Sequence, residues 1–201
     1  LQFEGASVQK RVQLNYIISV LYLGVNMHKK IIGLVPGAMK PFHRGHYFLI
    51  SMALKECDEV IVYTSTKDRL PVQGSKMKQA WENIICPRLP PNVKVNFVKS
   101  PIGSVFLYLY DDAQNGIQYR IYGGTEDLQR FETQAMKKRY PNLDIVNTAQ
   151  ECPENYDRAN NPAKGEWVRN TILAGDHQKF REYLPDILKN SSKKYFKILT
   201  K

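Results

Sequence analysis

Apolar runs of strand length alternate along this chain with segments whose apolar residues recur at helical spacing. The pattern predicts strands at Ile31–Val35, Glu59–Thr64, Val93–Val98, Gln118–Tyr122 and Leu143–Val146. It predicts helices at Gly45–Glu56, Ser75–Ile85 (with Ser75 as N-cap), Val105–Asp111, Glu126–Arg139, Glu166–Ala174 and His177–Tyr183. Strict alternation of strand and helix is typical of βαβ units. We therefore expect a single doubly wound, Rossmann-like α/β domain, with a parallel sheet and helices on both faces.

The loops that follow the first four strands are where function is expected in such a fold. Ligands lie beyond the carboxyl ends of parallel strands, where loops lead into helix N-termini. These loops are Pro36–Arg44, Ser65–Ser75, Lys99–Gly103 and Gly123–Thr125.

Composition narrows the class of protein. The chain has 201 residues, 43% hydrophobic and 24% charged, which suits one ordinary globular domain. Its three cysteines (Cys57, Cys86 and Cys152) are far apart, which argues against a disulfide framework or a structural zinc site. We therefore expect a cytoplasmic protein. The longest apolar-leaning stretch, Leu14–Val25, is too short to span a bilayer, which needs about 20 apolar residues, so no membrane partner is expected.

Composition shifts along the chain suggest three regions. Residues 1–26 are interpreted as an N-terminal extension or added leader, with Met27 as the natural start, 27–186 as the folded domain and 187–201 as a basic C-terminal tail. The formal net charge is +10, and the tail has five lysines and no acid. Because half of the excess positive charge lies in the tail and the rest is spread along the chain, small polyanionic substrates are favoured over nucleic acid.

The first loop contains the most informative motif. The sequence has no P-loop, no G-x-G-x-x-G after the first strand, no G-x-S-x-G and no H-E-x-x-H. Instead residues 37–46 read GAMKPFHRGH. His43 and His46 are three residues apart, so both rings lie on one side of the first helical turn. Gly37 and Gly45 allow close approach of a ligand, while Lys40 and the helix N-terminus attract anions. This predicts a phosphate site; a metal pair or a structural coincidence remain alternatives.

At these residues the sequence resembles the H-x-G-H nucleotidyltransferases, such as those acting on nicotinamide mononucleotide, phosphopantetheine or glycerol phosphate. The run PGAMKPFHRGHYFLI is especially similar to the first motif of phage-encoded members, which would act in the host cytoplasm. The stretch IYGGTEDLQRF (121–131) is similar to the family's nucleobase loop, and GEWVRNTILAGDHQKFREYLP (165–185) to its second signature. The resemblance spans Ile31 to Pro185.

The resemblance implies transfer of an NMP group, AMP from ATP or CMP from CTP, onto a phosphorylated small-molecule acceptor, with Mg²⁺ accompanying the nucleotide and pyrophosphate leaving. It implies that His43 and His46 contact the triphosphate and the transition state, Lys40 the acceptor phosphate and Arg169 the β- and γ-phosphates. It implies nucleotide contacts at Gly37, Ala38, Met39, Gly45, Gly123, Thr125, Asp127, Trp167 and Val168. No protein metal ligand is implied. Lys67 and Arg69, in the second loop, are further candidate phosphate ligands.

One departure from the family pattern leaves a second interpretation open. Lys164-Gly165-Glu166-Trp167 stands where the family carries Ser/Thr, so hydroxyl donors are missing and an acid is present. The alternative is a catalytically weakened nucleotide-binding accessory protein of the same fold.

A class I aminoacyl-tRNA synthetase shares the histidine motif, and GSKMKQ (74–79) resembles its lysine loop. That loop lies too early here, and 201 residues leave no room for a tRNA-binding domain. The sequence does not indicate an oligomeric state.

Overall fold

The structure, a computed structural model, describes residues 29–111, 116–141, 143–147 and 164–201. The segment 1–26 and the proposed start at Met27 lie outside the described residues, as does Cys152.

A five-stranded sheet forms the centre of the domain. Its strands are β1 (Ile31–Gly37), β2 (Glu59–Ser65), β3 (Val93–Val98), β4 (Gln118–Gly123) and β5 (Leu143–Asn147). They are ordered β3-β2-β1-β4-β5, and every neighbouring pair is parallel. This confirms the predicted doubly wound α/β fold. The winding direction reverses between β1 and β4, so the loops after these two strands border the crevice in which such folds bind ligands.

Nine α-helices are described. They are α1 (Arg44–Glu56), α2 (Gly74–Ala80), α3 (Pro101–Asp111), α4 (Thr125–Leu128), α5 (Gln134–Arg139), α6 (Gly165–Leu173), α7 (His177–Glu182), α8 (Asp186–Lys189) and α9 (Ser192–Thr200). A π-helical turn (Trp81–Ile85) and a 3₁₀ turn (Cys86–Arg88) extend α2. Among the described residues no helix combines the length and the apolar character that crossing a bilayer requires.

Each face of the sheet is covered by its own apolar core. Strand β1 contributes Val35 to the core beneath α1 and Leu34 to the core beneath α3. Both side chains are fully buried. This burial on two faces explains why β1 reads as an unbroken apolar run rather than as an alternating one.

Three predicted helices differ from the observed ones. The helix predicted from Val105 begins at Pro101, so the end of the predicted loop Lys99–Gly103 forms its first turn. The helix predicted from Ser75 begins at Gly74, with Gln73 at the N-cap, because the Gly74 N–H donates to the Asp68 carboxylate at 2.7 Å. The single helix predicted over 126–139 is wrong: α4 and α5 are separate. Thr133 caps α5 by accepting a hydrogen bond from the Met136 N–H at 3.2 Å, which starts a new helix.

The lysine-rich segment 187–201, interpreted from sequence as a tail, is packed against the rest of the domain. It contains most of α8 and all of α9, which contribute Leu188, Tyr195 and Leu199 to the core beneath α1. The lysines of α9 lie on its solvent-exposed side. The segment therefore combines a basic surface with an apolar inner face.

Candidate active site

A cavity of about 760 Å³ opens where the loops after β1 and β4 meet. Its cations are Lys40, Arg69, Lys99, Arg130, Lys164 and Arg169, and its carboxylates are Asp127 and Glu166. Six cations against two acids make it strongly electropositive, as expected for a site that binds a polyanion.

The two motif histidines form the start of α1. His43 is the N-cap, and its Nδ1 accepts a hydrogen bond from the Gly45 N–H at 3.1 Å. The His43 N–H is directed in turn at Nδ1 of His46, at 3.4 Å. The rings are stacked, with centroids 3.8 Å apart. Because the backbone occupies Nδ1 of His43 in this way, the neutral ring carries its hydrogen on Nε2, and the same reasoning applies to His46.

Both imidazoles are uncharged in the empty protein. Burial, assisted by the nearby Arg44 and Arg169, lowers the pKa of His43 to about 3. Burial and the neighbouring ring of His43 lower the pKa of His46 well below its usual value, and Arg69 adds to this effect. At neutral pH the pair therefore offers Nε2–H donors that are held in place by the helix cap.

Lys40 brings a buried charge to the cavity wall. The residue is only 2% exposed, and its Nζ has no hydrogen-bond partner among the described residues. Burial lowers the pKa of the Lys40 ammonium, although the carboxylate of Asp68 opposes this effect. A buried ammonium without a partner is costly unless an anion compensates for it. The cavity thus has the features of a site prepared for an anionic group.

The backbone just before Lys40 is strained. Met39 has a φ of 49°, in the left-handed region that few residues with a side chain adopt, and it is buried. The hydroxyl of Thr64 donates to the carbonyl of Ala38 at 3.4 Å, which ties the loop to β2. Residues held in such conformations cluster at functional sites.

Helix α6 begins at the opposite wall. Arg169 donates from Nη1 to the carbonyl of Lys40 at 3.1 Å, so the second motif is bound directly to the first. A methyl group on Gly165 would lie 3.3 Å from that Nη1 and 3.8 Å from Nε2 of His43. The N-cap Lys164 makes no side-chain capping hydrogen bond. The first N–H groups of α6 thus begin at the cavity wall without a hydroxyl cap.

The second loop brings Arg69 into the cavity but leaves Lys67 outside its lining. Gly74 fixes this loop, since a Cβ at that position would meet the Thr66 carbonyl oxygen at 1.8 Å. The charge of Arg69 contributes to the lowered pKa of Lys40, His46 and Arg169, so all these groups share one electrostatic environment.

The sequence-derived site residues divide into two groups. The cavity lining includes Gly37, Ala38, Met39, Lys40, His46, Gly123, Asp127 and Arg169. Outside this lining are His43, which lies directly behind His46, Gly45 in the cap, Trp167, and Val168, which is fully buried in the core. Thr125 begins α4 directly after the lining residue Gly124.

Two cationic lining residues, Lys99 and Arg130, were not among the candidates from sequence. Lys99 lies at the start of a predicted site loop, which was a usable signal. Arg130 lies within IYGGTEDLQRF (121–131), the stretch similar to the family's nucleobase loop, but it was not singled out because the pattern predicts one continuous helix over 126–139.

The described residues contain no group of three or more His, Cys, Asp or Glu side chains arranged for a metal ion. Magnesium commonly binds through substrate phosphates, water and one or two carboxylates. Asp127 and Glu166 supply such carboxylates at the cavity wall. The donor set therefore fits a metal that arrives with a nucleotide.

No protein-family model and no curated protein matches the sequence. Solved structures do match its fold. A bifunctional NMN adenylyltransferase/ADP ribose pyrophosphatase from Francisella tularensis gives a TM-score of 0.57 at 17% identity, over 86% of this chain and 52% of that one. The same enzyme complexed with AMP and a manganese ion gives 0.53 at 17% identity, over 86% and 52%. This chain thus spans about half the length of the Francisella enzyme.

A protein from Vibrio parahaemolyticus named as a nicotinate-nucleotide adenylyltransferase matches with a TM-score of 0.52 at 15% identity. That match covers 82% of this chain and 99% of the Vibrio chain. At these identities the likeness establishes the fold. The chain therefore has the α/β fold found in nucleotide adenylyltransferases.

Proposed function

We propose that this chain is a nucleotidyltransferase that moves an NMP group, AMP from ATP as the first candidate, onto a phosphorylated small-molecule acceptor and releases pyrophosphate. The observation that carries the proposal is the buried Lys40 ammonium, without a partner among the described residues, beside the stacked imidazoles of the first helical turn. A cavity of about 760 Å³ has room for a nucleotide. The resemblance of the first motif to the H-x-G-H family supports the same assignment.

In the proposed reaction an oxygen of the acceptor phosphate attacks the α-phosphorus. A new P–O bond forms, the bond to the β-phosphate oxygen breaks, and pyrophosphate leaves with the electron pair. No proton needs to move if the attacking phosphate is ionised. The protein then acts by positioning and by stabilising charge, as is usual for such transfers.

The residues have separate tasks in this proposal. The Nε2–H groups of His43 and His46 donate to the oxygens on which negative charge grows. Lys40 holds the acceptor phosphate, and Arg169 holds the β- and γ-phosphates with its planar donor fork. The loop at Gly123 and Gly124 receives the base. The same residues and the same reaction serve CTP, so a cytidylyltransferase is a variant of the same proposal.

Magnesium would enter with the triphosphate, with Asp127 or Glu166 as the protein carboxylate beside it. When bound, it would neutralise charge on the departing pyrophosphate. Manganese accompanies AMP in the Francisella enzyme, which supports the use of a divalent ion.

The second candidate is a nucleotide-binding accessory protein with weakened catalysis. It is favoured by one observation, the N-cap of α6, where Lys164 makes no side-chain capping hydrogen bond and Glu166 lies at the cavity wall. Both candidates bind NTP, but only the transferase releases pyrophosphate in the presence of an acceptor.

A pyrophosphate-release assay tests the proposal. ATP and CTP are each combined with Mg²⁺ and with phosphorylated acceptors, starting from nicotinamide and nicotinate mononucleotides. Arg69→Ala and Lys67→Ala form a matched pair, because both residues are exposed cations of one loop and only Arg69 lines the cavity. The proposal expects acceptor-dependent release that Arg69→Ala reduces and Lys67→Ala does not. Equal effects of the two changes would contradict the assigned cavity.

A further inference from the structure

The two residues that flank His43 are both bound to the C-terminal helices. The N–H of Phe42 donates to the phenol oxygen of Tyr195 at 2.8 Å, and that hydroxyl donates back to the carbonyl of Phe42 at 3.2 Å. On the other side, the N–H of Arg44 donates to the carbonyl of Tyr183 at 2.9 Å. A segment more than 130 residues away in sequence therefore holds the histidine loop from both sides.

Tyr195 is well suited to a fixed structural contact. It is fully buried, and its burial raises the pKa of the phenol well above the usual range, so the hydroxyl stays protonated. A neutral phenol has one hydrogen to donate and lone pairs to accept with, which matches the carbonyl and the N–H of one residue. Without the hydroxyl, both backbone groups of Phe42 would lose this partner inside the protein.

Phe42, the residue that Tyr195 holds, also supports the two imidazoles. The ring of Phe42 lies against the ring of His46, with centroids 5.9 Å apart and planes inclined by 28°. His46 in turn stacks on His43. A shift of the Phe42 backbone would therefore move both the N-cap of α1 and the apolar surface behind the two rings.

We propose that Tyr195 is a positioning residue for the histidine pair: its hydroxyl holds the Phe42 backbone and thereby fixes the cap geometry and the tautomers of His43 and His46. For its effect on catalysis, this inference rests on the proposed nucleotidyl transfer. Its effect on the imidazoles is a property of the protein without substrate.

The test compares Tyr195→Phe with Tyr122→Phe in the full chain. The control phenol is equally buried and lies in the same core, but it donates to the carboxylate of Glu56 at 2.8 Å rather than to the loop. Each change removes one buried hydroxyl, so both are expected to lower the melting temperature. Nitrogen-15 spectra of the side chains report the tautomer and pKa of each imidazole in the folded protein.

We expect Tyr195→Phe to shift the imidazole signals of His43 and His46 towards mixed tautomers and to raise their apparent pKa, while Tyr122→Phe leaves them unchanged. In the transfer assay, Tyr195→Phe lowers kcat by about 10- to 100-fold with a smaller change in KM, since a displacement of about 1 Å costs up to about 100-fold. Identical imidazole spectra in the two variants would overturn the proposal. If the unmodified protein transfers nothing, the proposed function fails, but the spectra still decide the role of Tyr195.

Hydrogen exchange in the unmodified protein provides a second measurement in case Tyr195→Phe does not fold. The Phe42 amide should exchange as slowly as the amides of the central strand β1. Exchange at the rate of an exposed loop amide would show that the hydroxyl does not hold the loop, and would overturn the inference.

Discussion

Replacing Lys40 with methionine tests the prepared anion site, because opposite effects are expected on stability and on binding. Lys40 is 2% exposed, its ammonium has no partner among the described residues, and burial lowers its pKa. A buried polar group without a partner costs about 1–3 kcal/mol, and a charge costs more. Methionine has a similar length and no charge, so Lys40→Met should raise the free energy of unfolding of the empty protein by about 1–3 kcal/mol.

The same substitution should weaken binding of the acceptor phosphate, the group that Lys40 holds in the proposed reaction. A hydrogen bond to a charged group contributes about 1.5–3 kcal/mol, which corresponds to about 10- to 150-fold in affinity. Thermal melts without ligand and calorimetry with a phosphorylated acceptor such as nicotinamide mononucleotide measure the two effects on the same samples. Lys67→Met is the matched control, because this exposed lysine lies outside the cavity lining and neither quantity should change. A less stable Lys40→Met protein, or one with unchanged affinity, would show that the buried ammonium does not form an anion site.

Three further predictions address the other groups of the site. His46→Ala should lower kcat by about 100-fold with the fold intact, and unchanged turnover would remove His46 from the mechanism. Glu166→Thr should tighten NTP binding about 10-fold in calorimetry, and Arg169→Ala should weaken it; no gain from threonine would indicate that Glu166 instead holds the metal. The pKa of His43 is about 3 in the folded protein and 6.5 in the unfolded chain. The neutral ring therefore stabilises the folded state above pH 6.5, and this stability is lost as the pH falls towards 3. From neutral pH to pH 5 this loss is about 2 kcal/mol in denaturant titrations. His43→Asn should reduce the pH dependence and leave the share of His46, whose pKa is also lowered; equal slopes in the two proteins would contradict the neutral buried ring of His43.

The sequence predicted the strands and the place of the first motif because both depend on local patterns. A buried central strand reads as a continuous apolar run, and a motif that follows it must lie at the carboxyl edge of the sheet. The burial of Lys40 depends instead on loops distant in sequence, so the sequence predicted its positive charge at the anion site but not its burial. Arg130 was missed for a related reason, since the helix break at Thr133 follows from one capping hydroxyl within an otherwise helical pattern.

The role of segment 187–201 also depends on contacts that its local sequence does not show. Its lysines indicated a solvated tail, whereas Tyr195 and Leu199 show that its other side packs in the core. The segment is recognisable from its sequence as an amphipathic helix. The surface on which it packs is not, because the contact from Tyr195 to Phe42 joins residues 153 positions apart. Deletion of this segment would therefore remove core contacts and a hydrogen-bonded support of the histidine loop.

The measurement that tests nucleotidyl transfer most directly is the fate of the α-phosphate. The protein is incubated with Mg²⁺, a phosphorylated acceptor and ATP or CTP labelled at the α-phosphorus, and labelled product and pyrophosphate are quantified together. Nucleotidyl transfer predicts equal amounts of labelled product and pyrophosphate, dependent on the acceptor and lost in His46→Ala. Tight NTP binding without labelled product from any acceptor tested would contradict the transferase and favour the accessory protein.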